Sequence, residues 1–231
     1  MQKLTYDNFE KLQLNKPVYR IKYFAQYCKN KCVLDLGSYD ETAFNLKTDT
    51  DYWLFSVLEK NTKELVGIDI ALPQESIEYK SASIFKKDVF EININFQPNL
   101  EIITAGEILE HLPSPSEFLK FIKSEFHGKE LLLSTPNGLN FGNTLMGLIK
   151  REVQHIDHLH VFTYKTLNTL CERAEFEEWE IIPYHFFATE MKLKSKSKLM
   201  KGLITLIEKT INGVEFFFPL LSMGYMVKIK I

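Results

Sequence analysis

Two short segments of the chain concentrate the side chains that could perform chemistry. The first is Glu107, Glu110 and His111, which directly follow an apolar run. Residues three and four positions apart share one face of a helical turn, so two carboxylates and an imidazole can meet there. Such a set could hold a divalent ion or serve as a general base. The plainer alternative is that Glu107 packs beside a bound ligand and His111 caps nearby backbone.

The second segment, residues 155–160, contains three of the six histidines of the chain. Asp157 lies between them and could orient a ring nitrogen, and imidazoles titrate close to neutral pH. Alternatively, the histidines hydrogen-bond backbone groups and only fix the loop. We favour the chemical interpretation, with His158 or His160 beside the reacting group and no resident metal. The predicted catalytic residues are Glu107, Glu110, His111, His158 and His160.

Two further segments predict the sheet that must position these side chains. Residues 31–41 read KCVLDLGSYDE and residues 64–70 read ELVGIDI. Each contains a continuous apolar run, typical of a parallel strand that is covered on both faces. Gly37 permits a sharp turn after the first run. Asp69 ends the second run, where an acid of a doubly wound sheet commonly binds ribose hydroxyls, so the pair predicts a nucleoside-containing cofactor.

The turn after the first strand restricts what that cofactor is. A dinucleotide fingerprint has the pattern G-x-G-x-x-G, whereas residues 37–41 contain a single glycine and acids that would repel a phosphate. Asp69 comes 32 positions after that glycine, more than the ~20 of an NAD fold. Asp35 and Asp40 could instead meet an amino-acid ammonium group. S-Adenosylmethionine, which has an adenosine and an ammonium but no pyrophosphate, fits these requirements.

Strands and helices alternate along most of the chain, which predicts a mostly parallel sheet with right-handed crossovers. We therefore predict an α/β fold, a Rossmann-like three-layer sandwich with a mostly parallel seven-stranded sheet and an antiparallel edge strand. Residues 1–231 are assigned to a single domain, with a core over about 30–185 and a C-terminal helix and edge strand in 190–231. The predicted strands are 32–36, 64–70, 82–88, 100–105, 130–134, 177–184 and 224–231, and the main predicted helices are 17–28, 114–126 and 164–174.

Three segments carry a family resemblance: EIITAGEILEHLPSP (101–115), LLLSTPNG (131–138) and HIDHLHVFTYKTL (155–167). In this order they resemble class I S-adenosylmethionine-dependent methyltransferases, over about residues 30–185. The resemblance is to a broad group with E-h-h-E-H-L after strand four, S-T-P-N after strand five and D-H-L-H-x-F-T before the next helix. It implies S-adenosylmethionine as the cofactor and a small-molecule or glycan acceptor.

The turn residues and the resemblance together predict the cofactor site. Asp88 follows the third predicted strand, where an acid accepts from the adenine amino group in many enzymes of this fold. The ordinary alternative for Asp88 is a helix or turn acid. The predicted cofactor-binding residues are Asp35, Gly37, Ser38, Asp69, Ile70, Asp88, Val89 and Ala105.

A second enzyme class stays open from the sequence. Small-RNA 3′-end 2′-O-methyltransferases pair a comparable E-x-x-E-H with a downstream D-H and bind a metal there. The aromatic signature that usually follows in those enzymes is replaced here by Leu-His-Val-Phe at 159–162. The matching positions in this chain are Glu107, Glu110, His111 and His158.

A third possibility is a binding module that keeps the fold without turnover. Its only support is the turn after the first strand. The methyltransferase group usually has G-x-G-x-G there, and in this chain Tyr39 and Glu41 replace two of the glycines.

Composition bears on the partners. The net charge is −2 and the arginines are Arg20, Arg151 and Arg173. Because nucleic-acid binding draws heavily on cationic contacts and specific readout on arginine, we expect no nucleic-acid partner. The lysine-rich residues 192–211 could form a basic amphipathic helix at a membrane surface, or a lid over the core with a solvated lysine edge.

The sequence also favours a reducing, cytoplasmic location. The N-terminus lacks the apolar region of a signal peptide, and the longest apolar stretch near the end of the chain, residues 214–227, contains Pro219 and Gly224 and is shorter than the ~20 residues of a spanning helix. Three cysteines make no disulfide framework, so we expect buried free thiols.

Overall fold

The computed structural model describes residues 4–7, 9–40 and 50–231. Its strands join in one eight-stranded sheet. In chain order, the strands are β1 Cys32–Leu36, β2 Glu64–Ile68, β3 Ser76–Tyr79, β4 Ala82–Phe85, β5 Ile102–Gly106, β6 Glu130–Pro136, β7 Glu178–Tyr184 and β8 Gly224–Lys230.

Helices connect most of these strands. The α-helices are α1 Arg20–Tyr27, α2 Leu54–Glu59, α3 Pro115–Glu125, α4 Phe141–Leu148, α5 Tyr164–Arg173, α6 Thr189–Lys194 and α7 Lys198–Phe217. Single 3-10 turns occur at Val89–Glu91, Ile94–Phe96, Leu109–His111 and Pro219–Leu221. The three helices named from the sequence are present, and α3 is capped by Ser114, whose Oγ accepts from the Glu117 amide at 3.4 Å.

The sheet has the order β3-β4-β2-β1-β5-β6-β8-β7. β4, β2, β1, β5 and β6 run parallel, and β8 is antiparallel to both of its neighbours, β6 and β7. The Rossmann-like α/β prediction is confirmed, including an antiparallel pair at the edge. The sheet has one strand more than predicted, because residues 76–85 form the hairpin β3–β4.

Core side chains fill both faces of the sheet, as expected for a central parallel strand. All five residues of β1 are buried. Leu34 and Leu36 point to the face covered by α3 and α5, whereas Val33 points to the face covered by α1 and α2. The alternation follows from the two-residue period of a strand. The helices on both faces leave the two ends of the parallel strands as places for a ligand.

The carboxyl end of β2 packs closely on the turn that follows β1. A Cβ at Gly67 would lie 2.4 Å from Ser38 Oγ and 2.7 Å from the Phe55 ring. Only a glycine leaves room for both side chains, so the identity of residue 67 fixes how closely the two strands' ends approach. Glu41, which the sequence analysis named in this turn, lies outside the described residues.

The C-terminal segment joins the sheet and then covers one side of it. α7 contacts the core through Ile204 and Glu215, both of which are buried. Glu215 accepts hydrogen bonds from the Phe186 amide at 2.9 Å and from His185 Nδ1 at 3.1 Å. Burial raises the pKa of Glu215 to about 7, against the effect of the amide bonds.

Two further observations bear on the sequence expectations. Cys28, Cys32 and Cys171 are free and buried, as predicted. No helix in the described part of the chain is both long enough and apolar enough to cross a membrane.

We expect Gly67→Ala to lower the free energy of unfolding by about 1–3 kcal/mol, because overpacking forces neighbouring side chains or backbone to shift. Urea denaturation measures the change. Gly202→Ala in α7 is the control, since its Cβ would meet no heavy atom within 4 Å, and it should gain about 0.5–1 kcal/mol from helix propensity. Wild-type stability of Gly67→Ala would contradict the close approach of β2 to the turn after β1.

Candidate active site

The turn after β1 touches the loop after the neighbouring strand β5. Gly37 has a φ of 71°, in the left-handed region that favours glycine. A Cβ built on it would lie 3.2 Å from Ile108 Cδ1. The predicted cofactor turn and the segment that carries Glu107, Glu110 and His111 are therefore in contact at the carboxyl edge of the sheet.

Asp35 supports this turn from below. It is buried at the end of β1, where Thr104 Oγ1 donates to its Oδ1 at 2.6 Å. Ser38 Oγ donates to the main-chain oxygen of Asp35 at 2.8 Å. Burial raises the pKa of Asp35 to about 7, although the hydrogen bond from Thr104 acts in the opposite direction. Because Asp35 is buried, a cation bound on the outer side of the turn would interact with its carboxylate electrostatically across the loop, without touching it.

Asp69 ties two loops together at the same edge. Its Oδ2 accepts from the Tyr39 amide at 2.9 Å and its Oδ1 from the Ala71 amide at 2.8 Å. These two bonds fix the orientation of the Asp69 carboxylate at the carboxyl end of β2. The adjacent Ile70 is 64% exposed, which gives this edge an apolar surface.

The remaining predicted cofactor residues line the neighbouring strands. Asp88 caps the 3-10 turn Val89–Glu91, because its Oδ1 accepts from the Phe90 amide at 2.9 Å. Val89 and Ala105 are buried, the former at the start of that turn and the latter on β5. The predicted cofactor-binding residues lie at or just after the carboxyl ends of β4, β2, β1 and β5. They therefore all belong to one edge of the sheet.

Glu107 occupies a strained turn that a buried polar network holds in place. Its φ is 58°, which is costly for a residue with a Cβ. Tyr184 Oη donates to Glu107 Oε1 at 2.9 Å, and Arg20 Nη1 lies 3.5 Å from Glu107 Oε2. Arg20 Nε also donates to Ser134 Oγ at 2.9 Å. Three elements, α1, β6 and β7, therefore orient this carboxylate.

Glu110 points the other way, into the protein. Its Oε2 accepts from Thr135 Oγ1 at 2.9 Å, whereas its Oε1 is buried without a partner among the described residues. Burial, reinforced by the neighbouring Glu107, raises the pKa of Glu110 to about 8. A buried oxygen without a partner is costly, so this atom is a place where a bound group would be stabilised.

Backbone hydrogen bonds attach the histidine segment to this turn. The amides of Leu159 and His160 donate to the Glu110 main-chain oxygen at 2.9 and 3.1 Å. His111 Nδ1 lies 3.1 Å from the Asp157 main-chain oxygen. A carbonyl can only accept, so Nδ1 must be the protonated nitrogen and Nε2 retains a lone pair.

His158 lies beside His111, with ring centroids 4.7 Å apart. Its Nδ1 is 3.2 Å from Gln154 Oε1, so its Nε2 also retains a lone pair when the ring is neutral. Burial and the neighbouring His111 and His155 lower the pKa of His158. The ligand atoms of Glu110, His111 and His158 all lie within 4.8 Å of one another, which is compatible with a metal ion.

His160 lies between two recesses, and it shares the smaller one with Glu110 and His158. Its Nε2 is 3.3 Å from the Pro113 main-chain oxygen. Together with Ser114, Thr166 and Arg173 it lines an open groove of about 400 Å³ between the first turn of α3 and the length of α5. The structure therefore brings together Glu110, His111 and His158, and places His160 at the rim.

Sequence reasoning missed the residues that hold the network. Arg20, Ser134 and Tyr184 lie far from Glu107 in the chain, and only the sheet brings them together. The one local signal in the sequence was the glycine at position 106, directly before Glu107. The structure explains it, because a Cβ there would lie 2.6 Å from Leu54 Cδ2 and 2.9 Å from Arg20 Nη2.

We expect the stability of the protein to fall between about pH 4 and 7 partly through Asp35. The pKa of Asp35 is raised from 3.8 to about 7 in the folded protein, so the folded state binds this proton more tightly than the unfolded state does. The resulting stabilisation is complete below about pH 4 and is lost as the pH rises to about 7. Asp35→Asn cannot titrate, and it should remove a pH-dependent loss of roughly 2–4 kcal/mol. Urea unfolding at several pH values tests this.

The exposed Asp51, paired with Lys60 at 2.8 Å, supplies the control. Asp51→Asn should keep the wild-type profile across this range. An Asp35→Asn profile parallel to that of the wild type would show that the Asp35 carboxyl is ionised in the folded protein at acidic pH.

Comparison with known proteins identifies the family. A family model described as a methyltransferase domain matches residues 12–181. A comparison of the sequence with curated proteins finds no significant match.

Solved structures share the fold at low sequence identity. A S-adenosylmethionine-dependent methyltransferase from Archaeoglobus fulgidus is 20% identical with a TM-score of 0.55, covering 92% of this chain and 91% of that one. The corresponding values for a Mesorhizobium loti S-adenosylmethionine-dependent methyltransferase are 9%, 0.51, 92% and 96%. The small RNA methyltransferase HEN1 is 14% identical with a TM-score of 0.53, and the match covers 96% of this chain but only 27% of HEN1.

The family model covers most of the chain and the strand order agrees with it, so the resemblance to class I S-adenosylmethionine-dependent methyltransferases is confirmed for the family and the fold. The chain belongs to the methyltransferase-domain family and has the fold of S-adenosylmethionine-dependent methyltransferases.

Proposed function

We propose that this methyltransferase moves the methyl group of S-adenosylmethionine to an oxygen, nitrogen or carbon atom of a small molecule or glycan. The observation that carries the proposal is the contact between the Gly37 turn and the loop of Ile108. Through that contact the predicted cofactor turn lies against the loop that leads to His111, and His158 packs on His111. Both imidazoles have a free lone pair when neutral. Family membership supports the reaction class.

The residues present suit the cofactor. S-Adenosylmethionine would supply an electrophilic methyl group on a sulfonium. Asp69 places a carboxylate at this edge that could accept from ribose hydroxyls, and the exposed Ile70 offers an apolar surface for adenine. The Asp35 carboxyl lies under the turn, where a bound ammonium would favour its ionised form.

His158 is the best candidate for the base that takes the proton of the acceptor. Its lowered pKa keeps the ring neutral at pH 7, and a neutral imidazole can accept a proton. His111 lies next to it with a second free lone pair. Most of the acceleration would come from holding the acceptor atom in line with the methyl group.

The surroundings of the site support a compact acceptor. The groove beside His160 measures about 400 Å³, within the ~300–1,000 Å³ of small-molecule sites. Its lining combines hydroxyl groups with proline and phenylalanine, and Arg173 is its single arginine. The net charge of −2 gives no general attraction for a polyanion.

We expect S-adenosylmethionine and S-adenosylhomocysteine, but not NAD, to bind in calorimetric titrations. Asp69→Ala should weaken binding by about 1–3 kcal/mol, because ribose hydroxyls would lose a charged partner. Asp51→Ala removes an exposed carboxylate elsewhere and should leave the affinity unchanged. The absence of heat with either sulfur nucleoside at high micromolar concentration would reject the proposed function.

A second candidate, metal-dependent 2′-O-methylation of RNA, is favoured by one specific observation. Glu110 Oε1 is buried without a partner among the described residues, next to the free lone pairs of His111 and His158. Two imidazoles and one carboxylate suit a first-row divalent ion, which would also stabilise the ionised form of Glu110.

Glu107 argues against this second candidate. The sequence match to the RNA enzymes included Glu107 as one of four positions. In the structure its carboxylate is turned to Tyr184 and Arg20 and does not join the possible metal ligands Glu110, His111 and His158. The site as arranged therefore offers one ligand fewer than the sequence match implied, and we rank the metal-free reaction first.

The two candidates differ in a calorimetric titration with Mn²⁺. The metal-dependent reaction requires one saturable site per chain, and Glu110→Gln and His111→Ala should each weaken it at least about tenfold. His127→Ala, which changes an exposed histidine after α3, is the control. The metal-free reaction requires no such site, so saturable binding together with methylation of RNA 3′ ends would reverse our ranking.

A further inference from the structure

The outer face of α7 is apolar although most of its side-chain surface is exposed in the described part of the chain. Leu199, Leu203, Leu206 and Phe217, here called the apolar stripe, are spaced so that they share one helix face. Leu199 is 86%, Leu206 62% and Phe217 73% exposed. The face that contacts the core is a different one and contains Ile204 and Glu215.

The neighbouring helix α4 exposes further apolar side chains. That helix has no buried residue and packs against α7. Its exposed apolar side chains are Leu145, Leu148 and Ile149, and Lys150 and Arg151 follow them directly. The combined patch draws on two helices, which exceeds the scattered single apolar residues of an ordinary surface.

Lysines border the stripe on one side. Residues 192–211 contain six lysines and one glutamate, in a chain whose net charge is −2. Lys192 and Lys194 pair with Glu208 and Glu190. The lysine edge, defined as Lys196, Lys198 and Lys209, forms no ion pair within the described residues. Its charge is therefore available to a partner.

We propose that the apolar stripe and the lysine edge dock this protein on an anionic lipid bilayer, with α7 lying in the plane of the interface. A helix with apolar side chains on one face and lysines beside them inserts shallowly among acyl chains while its cations meet lipid headgroups. The complementary charge of an anionic surface selects this occupant. The proposal is independent of the methyl acceptor.

The same charges disfavour a second copy of the chain as the occupant. A twofold contact through the stripe would bring two lysine edges together, and unpaired like charges repel across an interface. The only carboxylate within residues 192–211, Glu208, is already paired with Lys192. A bilayer places no cation opposite the lysines.

Co-sedimentation with vesicles tests the proposal. The whole protein should bind vesicles that contain phosphatidylglycerol and show little binding to pure phosphatidylcholine, and added salt should weaken the binding because the contact is electrostatic. Reversing two charges with Lys198→Glu and Lys209→Glu should weaken it at least about 20-fold. Leu206→Glu with Phe217→Glu should abolish measurable binding, because both charges would enter the acyl region.

Matched controls use the same substitutions elsewhere. Lys120→Glu on α3 and Phe9→Glu, at a fully exposed phenylalanine, should bind as the wild type does. Thermal melting of each variant checks its folding, and the lipid and salt dependence of the wild type decides the outcome if a variant unfolds.

Two results would overturn the proposal. One is wild-type protein that sediments equally with and without phosphatidylglycerol, or with neither vesicle. The other is a stable dimer in analytical ultracentrifugation that Leu206→Glu dissociates, which would assign the stripe to a second copy of the chain.

Discussion

The carboxylate of Glu107 is the group on which the geometry of the site depends most. Arg20 from α1 and the Tyr184 hydroxyl from β7 both bind it, and Arg20 reaches onward to Ser134 on β6. Arg20 is buried and Glu107 only partly so, and loss of the Glu107 carboxylate would leave the buried Arg20 charge without this partner. The network can therefore hold residue 107 at a left-handed φ, and that turn directs Glu110 and His111 toward the histidine segment.

Two buried carboxyls give the site a common electrostatic character. Burial raises the pKa of Asp35 to about 7 and that of Glu110 to about 8, so both carboxyls bind protons far more readily near neutral pH than exposed ones do. A cation that arrives nearby stabilises the ionised form of either group. Asp35 lies beneath the Gly37 turn, and Glu110 belongs to the loop after β5 that contacts this turn. Binding of a cationic ligand at this edge is thus coupled to loss of protons from the protein.

The C-terminal segment links the site to the proposed docking surface. β8 lies between β6 and β7, and the helix before it packs against α4, which follows β6. Glu215 anchors that helix through the backbone of Phe186, two residues beyond Tyr184. The surface formed by α4 and α7 and the network around Glu107 are therefore built on the same strands, which fixes the orientation of the site relative to any membrane that binds there.

The sequence alone determined the fold, the two chemical segments and seven of the eight strands that the structure describes. Most strands are recognisable in the sequence as short apolar runs. Parallel strands have their carboxyl ends at one edge of the sheet, so Glu110, His111 and His158 could be expected close together there. The extra strand β3 was missed, because its sequence SIEY is short and half polar. The partners of Glu107 could not be found, since Arg20 and Tyr184 are distant in the chain and meet it only after the sheet forms. Only the tertiary structure decided which way each carboxylate points and which face of α7 is left open, because backbone angles and packing set side-chain direction, and a one-dimensional pattern contains neither.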